Sequence, residues 1–120
     1  MSLKLKVYSY SACGTCKKAL KWLEINKIEF ELLDIIKTPP SKENILKAIE
    51  QLGDRKFLFN TSGKSYRLLG SDAVKAMTDE DAIHALLLDG KLIKRPFLVD
   101  ITGSVLVGFK ESVSKDSLLP

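Results

Sequence analysis

The sequence predicts an α/β domain built on a mixed sheet flanked by helices. Three observations carry that expectation. A strand–helix–strand pattern opens the chain, a helical stretch between Pro39-Pro40 and Gly90 fills its middle, and two short β runs around Thr102-Gly103 close it.

Lys4-Leu5-Lys6-Val7-Tyr8-Ser9-Tyr10 alternates polar and apolar and is rich in β-formers, which predicts the first strand. Ser11-Ala12-Cys13-Gly14 breaks it, and a helix is expected from about Thr15 to Asn26, its apolar stripe supplied by Ala19, Leu20, Trp22 and Leu23. Ile28 to Ile35 alternates again as a second strand. Joined through a helix, the two strands should be parallel, with a right-handed crossover. Pro39-Pro40 is a hard stop. Ser41 is a helix N-cap, with Asn44 where a capping box would carry glutamate, and Ile45, Leu46, Ile49 and Leu52 mark a helix ending at Gly53. Phe57 to Arg67 is a mixed apolar and turn-rich stretch. Thr78 caps a further helix with Ala82, Ile83, Leu86 and Leu87 on its apolar side, closed by Asp89-Gly90. Pro96 to Ile101 and Ser104 to Phe109 read as a β-hairpin. The tail from Lys110 to Pro120 is a weak, short helix candidate or partly frayed.

At 120 residues, 45% hydrophobic and 28% charged, the chain has the size and composition of one globular domain with a real core. It begins in a strand pattern without the apolar region of a signal peptide, and no apolar run is long enough to cross a bilayer, so the cytoplasm is the expected compartment and no membrane is expected as a partner. The net charge is +4, with small clusters at Lys17, Lys18, Lys21 and at Lys91, Lys94, Arg95. A solvated surface accounts for them. No aromatic interleaving or recognised motif supports nucleic-acid binding.

The chemistry lies in Cys13-Gly14-Thr15-Cys16. Cys13 stands where the first strand hands over to the first helix, and the free N–H groups and macrodipole of a helix N-terminus favour thiolate over thiol. Lys17 and Lys18 follow within a turn and add positive potential. Cys13 is therefore the expected nucleophile, and Cys16, three residues on, the resolving thiol. Gly14 leaves the approach to Cys13 uncluttered. Three blander readings compete: two small core cysteines, accident, and zinc. Zinc needs more ligands than two cysteines and the single histidine, His84, which lies far off on another helix, so a zinc site would require a second subunit. A CxxC pair between a strand and a helix of a βαβ unit favours the redox reading of a thioredoxin-like dithiol, with no metal. His84 reads as packing or surface, and Trp22, Phe57 and Phe59 read as core, rather than as a site.

Five stretches together resemble the ArsC/Spx/YffB group of thioredoxin-like proteins, which includes the glutaredoxin-linked arsenate reductases. They are Tyr8 to Ala19, Thr38-Pro39-Pro40, Phe59 to Arg67, Leu92 to Pro96, and Val107 to Lys110. The resemblance implies a thioredoxin-like fold whose four-stranded mixed sheet is flanked by helices. It divides the chain into a core of about 1–36 and 92–120, with a helical insertion lobe of about 37–91. It also implies a cis peptide bond before Pro96, facing the cysteines, and an Arg95 that points into the site, where a planar fork of donors suits a thiolate or an oxyanion. Asn60, Gly14, Thr15 and Pro96 join Arg95 as expected substrate- or partner-binding residues. Reductases of this type hold arsenate with three arginines. Here only Arg95 matches; Asn60 and Gly108 stand in the other two places, with Lys64, Arg67 or Lys110 as substitute cations.

The expected activity is a thiol-disulfide oxidoreductase with no bound cofactor, drawing electrons from glutathione or a protein thiol such as glutaredoxin or thioredoxin. Two alternatives stand beside it. One is a redox-sensing regulator of the Spx type that binds RNA polymerase. The other is a true arsenate reductase.

Overall fold

The computed structural model describes residues 4–110. The expected tail helix beyond Lys110 lies outside them. The chain runs β1 (Leu5–Ser9), α1 (Gly14–Ile25), β2 (Phe30–Asp34), α2 (Lys42–Leu52), α3 (Lys64–Leu69), α4 (Ser71–Ala76), α5 (Asp79–Leu88), β3 (Phe97–Val99) and β4 (Val105–Val107), with 3-10 turns at Arg55–Phe57 and Gly90–Leu92. The sheet order is β2-β1-β3-β4, with β2 parallel to β1, and β3 and β4 antiparallel. This is the thioredoxin-like fold, with the helices α2–α5 entering between β2 and β3.

Alternation along the strands puts apolar side chains on both faces of the sheet. Leu5, Val7 and Leu98 pack with Trp22 and Leu23 of α1, whereas Tyr8, Phe97, Val99 and Val105 pack with Ile45, Ala48, Ala82 and Leu86 of α2 and α5. The expected caps form: Ser41 Oγ accepts from Asn44 N at 3.1 Å, and Thr78 Oγ1 from Asp81 N at 3.1 Å. The closing hairpin turns through Asp100, whose carboxylate accepts from the backbone N–H groups of Thr102 and Ser104. β4 is an edge strand, and Gln51 Oε1 of α2 covers the outward N–H of Val105 at 2.8 Å.

Two expectations require correction. The stretch after Phe57 contains α3 and α4, each of six residues. Neither has a side-chain cap, and a helix that short cannot display a repeating apolar stripe. Phe57, read as core, is 51% exposed, and Leu46, one of the apolar positions that mark α2, is 45% exposed. Ile45 and Ala48 are the buried positions on α2, and the Lys56 ammonium lies 5.2 Å from the Phe57 ring centroid. Trp22 and Phe59 are buried as expected, and His84 is exposed on α5.

One arginine ties the helical segment together, and one glycine seats it against the end of the sheet. Arg55 donates to Asp79 and to the backbone carbonyls of Val74, Lys75 and Met77, drawing α4 and α5 together. Gly90 sits against the backbone of Ile35, at the end of the βαβ unit, so closely that a Cβ there would overlap the Ile35 carbonyl. Gly90→Ala is expected to cost about 1–3 kcal/mol by forcing backbone apart. Gly14→Ala, with nothing within 4 Å of its added methyl, should leave stability nearly unchanged. Thermal unfolding of the two variants checks this, and an unaltered melting temperature for Gly90→Ala would contradict the packing.

Candidate functional site

Cys13 is the N-cap of α1. Its backbone is extended (φ −90°, ψ 114°), and its Sγ accepts from Cys16 N at 3.2 Å, taking the place usually held by a serine or aspartate oxygen. Its own N–H donates to the Tyr10 carbonyl at 3.0 Å, which fixes the turn between β1 and α1. The first turn of α1 holds no acidic side chain, so nothing there opposes a negative sulfur.

The two thiols sit in different surroundings. Cys13 is partly exposed and Cys16 is fully buried. Burial alone would raise the Cys13 pKa, but hydrogen bonds from the Cys16 thiol and N–H, together with the adjacent Arg95 guanidinium, outweigh it and hold the thiol below its ordinary value. Cys16 moves the opposite way, pushed up to about 11 by burial and by donating its proton to Cys13. Bonds from the Tyr10 backbone and the Ser9 hydroxyl offset this only in part. Lys17 and Lys18 are exposed, and the positive charge that bears on Cys13 is that of Arg95, more than eighty positions away in sequence. A partly exposed thiolate beside a buried protonated thiol is the arrangement a nucleophile and a resolving group require.

Arg95 precedes a cis peptide bond to Pro96, as the resemblance implied. Its Cζ lies 5.0 Å from the Tyr10 ring centroid, and one Nη donates to the Lys91 carbonyl at 3.3 Å. Its Nε is buried without a hydrogen-bond partner among the described residues. Pro96 is buried behind the site, and its carbonyl accepts from Gly108 N at 2.8 Å, which ties the Arg95 segment to the end of β4.

These segments enclose an open cleft of about 650 Å³ over Cys13, lined by Thr15, Asn60, Ser62, Gly63, Lys94, Arg95, Gly108 and Lys110 among others. Asn60 reaches it because its segment pairs with the approach to β3. Asn60 N donates to Leu92 O and Lys94 N to Leu58 O, each at 2.8 Å, around a Phe59–Ile93 bridge. The Asn60 side chain folds over Gly63, where a Cβ would lie 2.6 Å from its Nδ2. Of the residues expected at the site, the cleft gathers Cys13, Thr15, Asn60 and Arg95. Gly14 lies exposed in the first turn of α1, and Cys16 and Pro96 are buried beneath. Of the substitute cations, Lys110 lines the cleft, and Lys64 and Arg67 do not.

Sequence reasoning passed over Lys94, which reads as one more surface charge beside Arg95. Gly108 has φ +77°, and a Cβ at that position would lie 3.4 Å from the Lys94 Cε, so the lysine chain passes in ordinary contact with it. Ser62 and Gly63 also went unnoticed as lining residues. Their signal was the turn-forming Asn60-Thr61-Ser62-Gly63 itself.

A dithiol at the start of the first helix, beneath an arginine carried by the loop before β3, places this molecule in the class of thioredoxin-like proteins with a CxxC at the helix N-terminus. Within that class the chain belongs to the ArsC family, whose sequence model matches residues 8–116. Among its relatives, the uncharacterized protein YusI of Bacillus subtilis is 43% identical over 111 residues, 91% of this chain and 93% of YusI. The regulatory protein MgsR of the same organism is 30% identical, spanning 83% of this chain and 79% of its own length. An arsenate reductase of Escherichia coli is also 30% identical, over 85% of this chain and 72% of the reductase. The crystal structure of an ArsC family related protein from Bacteroides fragilis superposes with a TM-score of 0.84 at 39% identity, covering 97% of this chain and 98% of that one.

Alkylation followed against pH, with each cysteine resolved by peptide mapping, tests the electrostatics. Cys13 should titrate below the value of about 8.5 for a free cysteine. Arg95→Met should move that midpoint up, and Cys16 should stay unlabelled through the neutral range. A Cys13 midpoint at or above the free value would contradict the assignment.

Proposed function

We propose that this protein is a thiol-disulfide oxidoreductase in which Cys13 attacks and Cys16 resolves. The observation that carries the reading is the division of the two sulfurs. Cys13 faces the cleft with its charge favoured, and Cys16 lies beneath it with its proton retained. The Cys13 thiolate attacks one sulfur of an incoming disulfide. A new S–S bond forms as the old one breaks, and the displaced thiolate leaves with the electron pair. Cys13 then carries no charge, so its part in holding the proton on Cys16 disappears, while the bonds from Ser9 and Tyr10 still favour a Cys16 thiolate. Cys16 loses its proton and attacks Cys13 Sγ. The Cys13–Cys16 disulfide forms, and the second substrate thiolate departs and takes up a proton. Two electrons have passed to the substrate, and glutathione or a protein thiol such as glutaredoxin or thioredoxin restores the dithiol. The chemistry needs no bound cofactor. A dithiol that must return to its reduced form suits the cytoplasm.

Arsenate is the weaker substrate in this reading. The cleft offers one planar guanidinium, from Arg95, with Lys94 and Lys110 as point charges and Asn60 as a neutral donor. A second reading is favoured by the likeness to the regulatory protein MgsR across most of the chain. There the same pair would act as a redox switch on a partner such as RNA polymerase, and the protein would co-purify with polymerase without turning over a disulfide.

A turnover assay separates these readings. A glutathione mixed disulfide should be reduced by the wild type, with Cys13→Ser inactive and Cys16→Ser slowed at least tenfold. Arsenate turnover should be absent or feeble. Robust arsenate reduction with glutaredoxin, or full activity in Cys13→Ser, would overturn the proposal.

A further inference from the structure

We infer that Tyr10 is a positioning residue for the site: its ring is the platform that holds the Arg95 guanidinium over Cys13. Three contacts converge on this residue. Its ring centroid lies 5.0 Å from Arg95 Cζ, within the range over which a guanidinium is attracted to an aromatic face. Its carbonyl accepts from Cys13 N at 3.0 Å, and its backbone also reaches the Cys16 sulfur. One residue therefore touches both cysteines through its backbone and the arginine through its side chain.

The ring matters because the other contacts of Arg95 are few. Beside its hydrogen bond to the Cys13 sulfur, the guanidinium makes a 3.3 Å contact from Nη1 to the Lys91 carbonyl, and its buried Nε has no partner among the described residues. No carboxylate is paired with it in the described structure. That suits the task, since a carboxylate would neutralise the charge that Cys13 requires, whereas an aromatic face orients a cation and leaves its charge intact. The groups facing Cys13 are the Cys16 thiol from α1 and Arg95 from the loop before β3, with Lys94 and Lys110 lining the same cleft. The Tyr10 hydroxyl has no part in this, so the inference concerns the ring alone.

The inference rests on Cys13 being the reacting thiol, yet its test reads the thiolate directly and does not depend on turnover. Tyr10→Leu should slow Cys13 alkylation at pH 7 roughly two- to fivefold and raise the midpoint of its pH profile, the range a half-buried cation–π contact supports. Tyr10→Phe should restore the wild-type profile. In an Arg95→Met background, Tyr10→Leu should change nothing further. A wild-type profile in Tyr10→Leu, or an effect of equal size with Arg95 removed, would overturn the inference. One measurement needs no variant that must fold. In the wild type, the Arg95 Nε–H resonance should be shifted upfield by the ring current, and a random-coil position would contradict the stacking. Loss of disulfide turnover with these alkylation results intact would count against the proposed activity and leave the role of Tyr10 standing.

Discussion

A sulfur atom serves as the N-cap of α1, and the site is built around that substitution. The Cys13 Sγ accepts the Cys16 N–H that a serine or aspartate oxygen would ordinarily take, so the bond that starts the helix also stabilises a thiolate. The same turn of helix carries the Cys16 side chain beneath Cys13, into a position with no solvent exposure. Fold and chemistry are thus coupled at a single bond. Parallel pairing of β1 with β2 and packing of Trp22 and Leu23 on Leu5, Val7 and Leu98 hold the helix start at the end of the sheet.

The remainder of the site comes from distant parts of the chain, and the helical segment between β2 and β3 makes that assembly possible. Its stretch from Leu58 to Asn60 pairs with Leu92 to Lys94, which brings Asn60 beside the loop carrying Arg95. The hairpin then returns Gly108 and Lys110 to the same cleft. The charge balance of the cleft differs from a three-arginine clamp. The Lys94 chain passes in contact with the Gly108 position, so a point charge stands near the place where the family resemblance calls for a guanidinium.

Much of this was legible in the residues. β1, β2 and α1 announced themselves through alternation and an apolar stripe, and α2 and α5 through Ser41 and Thr78, whose side chains form the caps their positions imply. α3 and α4 were not legible, since six residues are too few for a period to show and Gly70 joins them without a loop. Phe57 misled because apolar character does not say which face an element presents. At the site, the cysteines stood out by spacing, and the cis bond before Pro96 followed from family resemblance. The source of the positive charge was read in part wrongly. Lys17 and Lys18 are near in sequence but exposed, whereas Arg95 is far in sequence and adjacent in space. Tyr10 gave no signal, because a tyrosine at a strand end is indistinguishable from core until the arginine above it is placed.

The central claim is that the two sulfurs are divided by environment into an attacking and a resolving group. Intact-mass and peptide analysis after exposure to glutathione disulfide tests it most directly. The account predicts a stable glutathione adduct on Cys13 in the Cys16→Ser variant, a Cys13–Cys16 disulfide with no adduct in the wild type, and no reaction in Cys13→Ser. An adduct on Cys16, or equal labelling of the two single variants, would contradict it.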